Sequence, residues 1–150
     1  MTRNEQKLRE VIFSKSDSKV WEEARTEWII KNIYDGETSC SCGKIPIKKI
    51  CLLVNTVTKN EAIVGSSCVE KFIGLSIDII FKDLALIKEN TGYIVHLQTV
   101  NFAYDNGYIN SWESDFYKSI LELEFLSIRQ KQTGRKINGK IISMLKRFEQ

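Results

Sequence analysis

Proline and histidine are nearly missing, each occurring once in 150 residues, as Pro46 and His96. One proline and eight glycines leave no material for a collagen-like repeat or a low-complexity linker. A single histidine excludes HNH-type nuclease chemistry, which needs more than one. No segment approaches the roughly 20 apolar residues that span a bilayer. The N-terminal MTRNEQKLREVIF reads as a polar helix rather than a secretory signal, so the expected compartment is the cytoplasm, where thiols stay reduced. H-E-x-x-H, Walker A, G-x-S-x-G and G-x-G-x-x-G patterns are absent as well. The acidic pairs Glu22 with Glu23, Glu113 with Asp115, and Glu122 with Glu124 fall on solvent-facing helix positions, with nothing to supply a base or metal beside them. No catalytic constellation is found, and the sequence does not read as an enzyme.

What is present suits one ordinary soluble domain over residues 1–150: 43% of residues are hydrophobic and 27% charged. The net charge of +3 is unevenly placed, with +6 in residues 127–150 and −3 in the remainder. Such asymmetry points toward a polyanionic partner. Isoleucine at 20 positions and lysine at 16, against four alanines, fits coding from an AT-rich genome such as that of a bacterium or phage.

Caps and periodicity predict an α+β fold that is mostly helical, with a small zinc-bound β-hairpin at about 40–65 among about six helices. Thr2 with Glu5 forms a capping-box pattern for a helix to about Phe13. A second helix is expected from about Lys19 to Tyr34, with Trp21 and Trp28 as core anchors and Gly36 as its stop. These helices make up residues 1–36. Residues 37–75 hold the strands, rich in Ile and Val, with a turn at Asn55–Asn60, and then a short helix from Cys68 to Gly74 announced by Ser67 and Glu70. Residues 76–150 read as helices carrying Ile77 to Ile87, Tyr93 to Tyr104, and a third opened by Asn110 and Glu113 with Trp112, Phe116, Ile120 and Leu123 inward. Ser127 with Gln130 starts the last helix.

All four cysteines, Cys40, Cys42, Cys51 and Cys68, lie in the strand-rich stretch. Two loops and a hairpin can deliver four thiolates to a structural zinc, Gly43 permits a tight turn behind Cys42, and the first turn of a helix favours the Cys68 thiolate. Unligated thiols and redox use are the alternatives, and disulfides are the poorest reading in a reducing compartment. Cys51 sits inside the apolar run Ile50 to Val54 and also fits a small core residue; His96 is the substitute fourth ligand.

WEEARTEW from Trp21, CSCGKIPIKKICLLVNTVTKNEAIVGSSCVEKF from Cys40, GYINSWESDFYKSI from Gly107 and LSIRQ from Leu126 resemble a family of small, largely uncharacterised zinc-binding proteins of bacteria and their phages. Its pattern is C-x-C-G, an N-x-x-T turn, V-G-S-x-C-V-x-K-F and a helical L-S-x-K-Q tail. The resemblance implies a metal role for Cys40, Cys42 and Cys68, and matches Cys51 to a variable position that is often Cys or His. Arg129 stands where the tail motif usually has Lys.

The last helix carries Arg129, Lys136, Lys140 and Arg147 at separations that bring them within about 20° of one line, with Ile137, Ile141, Met144 and Phe148 in the adjacent sector. Such a stripe, with Arg135 beside it and Lys48 and Lys49 on the zinc hairpin, suits sequence-independent phosphate contacts, provided that the helix continues through Thr133–Gly134. The expected function is therefore a zinc-stabilised module that binds DNA or RNA. Inhibition of a host protein by a phage or mobile element, such as a defence nuclease or the transcription machinery, is the alternative, and a small metalloenzyme the second one.

Overall fold

The computed structural model describes residues 2–73 and 77–148. The chain divides into two compact units, Met1–Ile77 and Asp78–Gln150. The fold is α+β with a small antiparallel sheet, and the described residues form seven α-helices.

The first unit begins with α1 (Arg3–Ser14), where the Thr2 hydroxyl accepts the Glu5 N–H at 3.1 Å. A single turn, α2 (Trp21–Ala24), leads through a 3-10 turn at Arg25–Glu27 into β1 (Trp28–Thr38), followed by β2 (Ile47–Asn55), β3 (Glu61–Gly65) and α3 (Ser66–Ile73). The helix expected over Lys19–Tyr34 is thus a correction: all but its first turns are strand. Ile29, Ile30, Ile33 and Tyr34 favour a pleated surface, and β2 supplies a full-length partner, with Trp28 opposite Asn55 and Tyr34 opposite Ile50. A register shift between Ile30 and Asn32 lets Trp28, Ile30 and Ile33 all be buried, although strict alternation would turn Ile33 outward. The hairpin therefore becomes a sheet of three strands in the order β1-β2-β3.

Glu27 joins the helical entry to this sheet. Its carboxylate accepts the N–H groups of Asp17 and Ser18 at 2.8 and 2.9 Å and the Asn55 side-chain amide at 2.9 Å. These bonds, the Asn55 bond foremost, hold its carboxyl below the ordinary glutamate range. Asn55 in turn accepts from the N–H groups of Val57 and Thr58, which closes the NTVTKN turn. Trp28 is a core anchor as expected, and its indole N–H donates to Ser16 Oγ at 2.9 Å. Trp21 is half-buried between Phe13 and Phe72, with the Arg9 guanidinium 4.6 Å from its ring. The Gly74 stop expected for α3 lies outside the described residues.

The second unit contains α4 (Ile77–Glu89), α5 (Leu97–Asp105), α6 (Ser111–Leu121) and α7 (Ile128–Phe148). Asn110 and Glu113 form the complete capping box of α6, and Ser127 and Gln130 exchange the same bonds at α7. The buried face of α6 is Ser114, Tyr117 and Ile120 rather than the Trp112 face, and Trp112 is 64% exposed, stacked on Phe116. Most of the unit's buried polar groups are hydrogen-bonded within the chain, although the buried Ser114 hydroxyl has no partner among the described residues. Tyr117 Oη accepts the Val95 N–H and bonds Asn138 Oδ1, each at 3.0 Å, while Asn138 Nδ2 donates to the carbonyls of Thr91 and Tyr93. Asp83, fully buried, accepts from the His96 N–H and from the hydroxyls of Thr99 and Tyr93.

Candidate metal centre

The loop from β1 to β2 is folded by its own backbone. Gly43 N–H donates to the Cys40 carbonyl at 2.8 Å and Cys40 N–H to the Lys44 carbonyl at 3.0 Å. Gly43 adopts φ +97°, a left-handed conformation that side-chain-bearing residues resist, so the glycine after Cys42 is required here by geometry. Ser41 fastens the loop to the sheet, with its N–H and Oγ both donating to the Ile63 carbonyl, at 2.9 and 2.8 Å. Cys68 arrives from the other side, in the first turn of α3, which follows β3 without a loop.

This brings the sulfurs of Cys40, Cys42 and Cys68 within 4.8 Å of one another. The 3.6 Å between the Cys40 and Cys68 sulfurs is far beyond a disulfide, and all four cysteines are free. It is close to the roughly 3.8 Å edge of a tetrahedron with metal–sulfur bonds of about 2.3 Å. The cluster is suited to hold a metal ion. Cys40 also accepts the Gly65 N–H at 3.3 Å and the Cys42 N–H at 3.5 Å. The hydrogen bond with Cys68, aided by these two N–H groups and opposed by burial, brings the Cys40 thiol down to about 5. Cys68, as the other member of the pair, is pushed up. A metal ion held here would be bound by the deprotonated sulfurs, so its binding would be favoured by rising pH.

Cys51 is not brought into the cluster. It lies in the middle of β2, opposite Ile33 on one side and Val64 on the other, and is fully buried in the sheet's core. Burial pushes its thiol up, and its sulfur acts as a small apolar group. His96, whose ring Nδ1 lies 3.0 Å from Asp83 Oδ1, is not among the residues gathered in the cluster. The sequence-level assignment of four ligands is therefore corrected to three among the described residues.

Two features beside the centre, the Lys7 ammonium and a cavity, were missed because they draw on distant sequence. Lys7 of α1 lies over the C-x-C-G turn, its ammonium 3.3 Å from where a side chain on Gly43 would begin. Lys71 of α3 reaches Glu5 of α1 at 3.4 Å. Beside the cluster opens a cavity of about 680 Å³ whose wall includes Cys42, Cys68, Trp21 and Arg9. The only local signal was the helical periodicity of α1, which does not reveal what its polar face covers.

The expected phosphate contacts are distributed over both units. Helix α7 runs unbroken through Gly134, which is buried near Ile120. Arg129, Arg135 and Lys136 are exposed on it, whereas Lys140 is bound to Glu113 at 2.6 Å. Ile137, Ile141 and Leu145 form its buried face; the side chains of Arg147 and Phe148 lie outside the described residues. Lys48 and Lys49 are exposed on β2. No described helix is long and apolar enough to cross a membrane. No known family, curated protein or solved structure matches the chain.

Proposed function

We propose that this chain is a zinc-binding protein that engages nucleic acid without sequence preference through α7. The single observation that carries the metal part is the convergence of three cysteine sulfurs within 4.8 Å of one another in a reduced, hydrogen-bonded cluster. Zinc suits this donor set because thiolates are its preferred ligands and it brings no redox chemistry of its own. Its role is structural, joining the β1–β2 loop to α3. The nucleic-acid part is supported by the continuity of α7 and the exposure of Arg129, Arg135 and Lys136 along it. Lys140 contributes less than its position in the stripe suggests, because Glu113 already neutralises it.

The test is binding of a fluorescent DNA or RNA duplex across a salt series, using zinc-loaded protein. Affinity should fall steeply with salt, and an Arg129→Glu, Arg135→Glu, Lys136→Glu variant should lose about tenfold or more while its thermal midpoint stays unchanged. Equal binding by the variant would refute the role of α7.

A second reading is favoured by one observation. Leu123, Phe125 and Ile128, at the α6–α7 connection, are exposed, Phe125 by 83% and Ile128 by 77%. Exposed apolar groups so close in sequence suit a protein partner, such as a host protein inhibited by a phage or mobile element. Phe125→Asp should then abolish co-purification of a stoichiometric host protein without affecting nucleic-acid binding.

A further inference from the structure

Two of the three cysteines of the centre, Cys42 and Cys68, border a cavity. Tetrahedral coordination needs a fourth donor, yet among the described residues no further His, Cys, Asp or Glu joins the three sulfurs. Cys42 and Cys68 instead form part of the wall of the 680 Å³ cavity, which is of ligand-pocket size. Two of the cations in that wall are already paired, Arg25 with Glu22 at 3.3 Å and Lys71 with Glu5 at 3.4 Å. The other two, Arg9 and Lys44, have no carboxylate partner among the described residues; Arg9 rests on the Trp21 ring. The wall therefore combines two of the three thiols, an aromatic face and two uncompensated positive charges.

We propose that the cavity binds a small organic anion whose donor atom completes the coordination of the metal held by Cys40, Cys42 and Cys68, and whose carboxylate is held by Arg9 and Lys44. This rests on the metal-binding reading given above. A thiol ligand would give its sulfur electron pair to the metal, and its proton would pass to solvent. The flat Trp21 ring and the Arg9 guanidinium stacked on it fix one end of the pocket, so selection falls on charge as well as on the donor. The rest of the chain is not required to move, since Cys42 and Cys68 already face the cavity.

The experiment uses full-length protein loaded with Co(II), whose visible spectrum reports both thiolate ligation and coordination geometry. Two probes with the same thiol arm are titrated in: 3-mercaptopropionate and its uncharged methyl ester. The expected result is a saturable change in the cobalt bands, with the acid binding at least about tenfold tighter than the ester. Arg9→Gln and Lys44→Gln, each checked for an unchanged circular dichroism spectrum, should reduce that preference. Cobalt bands that show thiolate ligation but respond to neither probe would overturn the open position while leaving the metal site standing. Equal affinity for acid and ester, or a preference retained in both variants, would overturn the anion selectivity. Absence of thiolate-to-cobalt bands would remove the metal reading and this proposal together.

Discussion

The two units reach order by different means. In Met1–Ile77 a three-stranded sheet is continued by a loop and a helix whose junction is a cluster of three thiols. In Asp78–Gln150 four helices close over buried polar groups that satisfy one another within the chain, around Asn138 and Asp83, and cysteine is absent. The thiol cluster gathers three soft metal-ligating groups, whereas the Asn138 and Asp83 networks are hydrogen-bonded within the chain. Three converging thiols suit an added ion, and no such group of ligands is found in the second unit among the described residues. Metal dependence should thus be confined to one part of the molecule.

The sharpest way to break this contrast is to remove the metal or one ligand. Zinc contributes about 10–16 kcal/mol of binding free energy in small zinc-finger peptides. Even a fraction of that, upwards of about 3 kcal/mol, should be lost from the first unit on chelation or in Cys40→Ser. Hydrogen exchange should accelerate in β3 and α3 and stay unchanged in α6 and α7. Equal acceleration in both units would show that they share one metal-dependent stability.

The converse perturbation acts on the second unit. Asn138→Ala leaves the Thr91 and Tyr93 carbonyls without the donor they now have, and the Tyr117 hydroxyl without one partner. A loss of about 2–3 kcal/mol is expected, measured by urea unfolding and equal in the presence and absence of zinc.

Cys51 separates core from ligand within one strand. Cys51→Ser should cost about 1–2 kcal/mol by placing a hydroxyl in a dry core, and Cys51→Ala about 1 kcal/mol. In both variants the zinc content should remain at the wild-type value, read by native mass spectrometry. Loss of zinc would restore Cys51 to the ligand set.

The smallest effect concerns pH. The Glu27 carboxyl is held below its ordinary value of 4.5, so its contribution is present above that value and is lost as pH falls through the lower, folded value. The urea midpoint of the wild type should decline below pH 4.5 more steeply than that of Glu27→Gln. Parallel declines would remove Glu27 as the acid-sensitive joint.

Much of the helical architecture could be read from local chemistry. Thr2 with Glu5, Asn110 with Glu113 and Ser127 with Gln130 all sit at the helix starts that their side chains suggest, because capping is decided within four residues. The clustering of Cys40, Cys42 and Cys68 was legible for a similar reason: a glycine-bearing turn and a helix start are local devices. The segment from Trp28 to Tyr34 was misread because its apolar spacing satisfies a helix, while the decisive facts are its pairing with β2 and a bulge, which are set by residues some twenty positions away. Cys51 was misassigned because spacing cannot tell which face of a strand a residue occupies. Trp112 was assigned inward since aromatic character outweighed phase, and Tyr117, with its hydroxyl tied to Asn138, took the core position instead.

The metal centre is tested most directly by zinc-edge X-ray absorption on protein purified with a phosphine reductant, so that no added thiol is present. The expected spectrum shows one zinc per chain with three sulfur neighbours at roughly 2.3 Å and one lighter donor. A chain without zinc, or a zinc with four sulfurs, which would require Cys51 to leave the sheet, would contradict it.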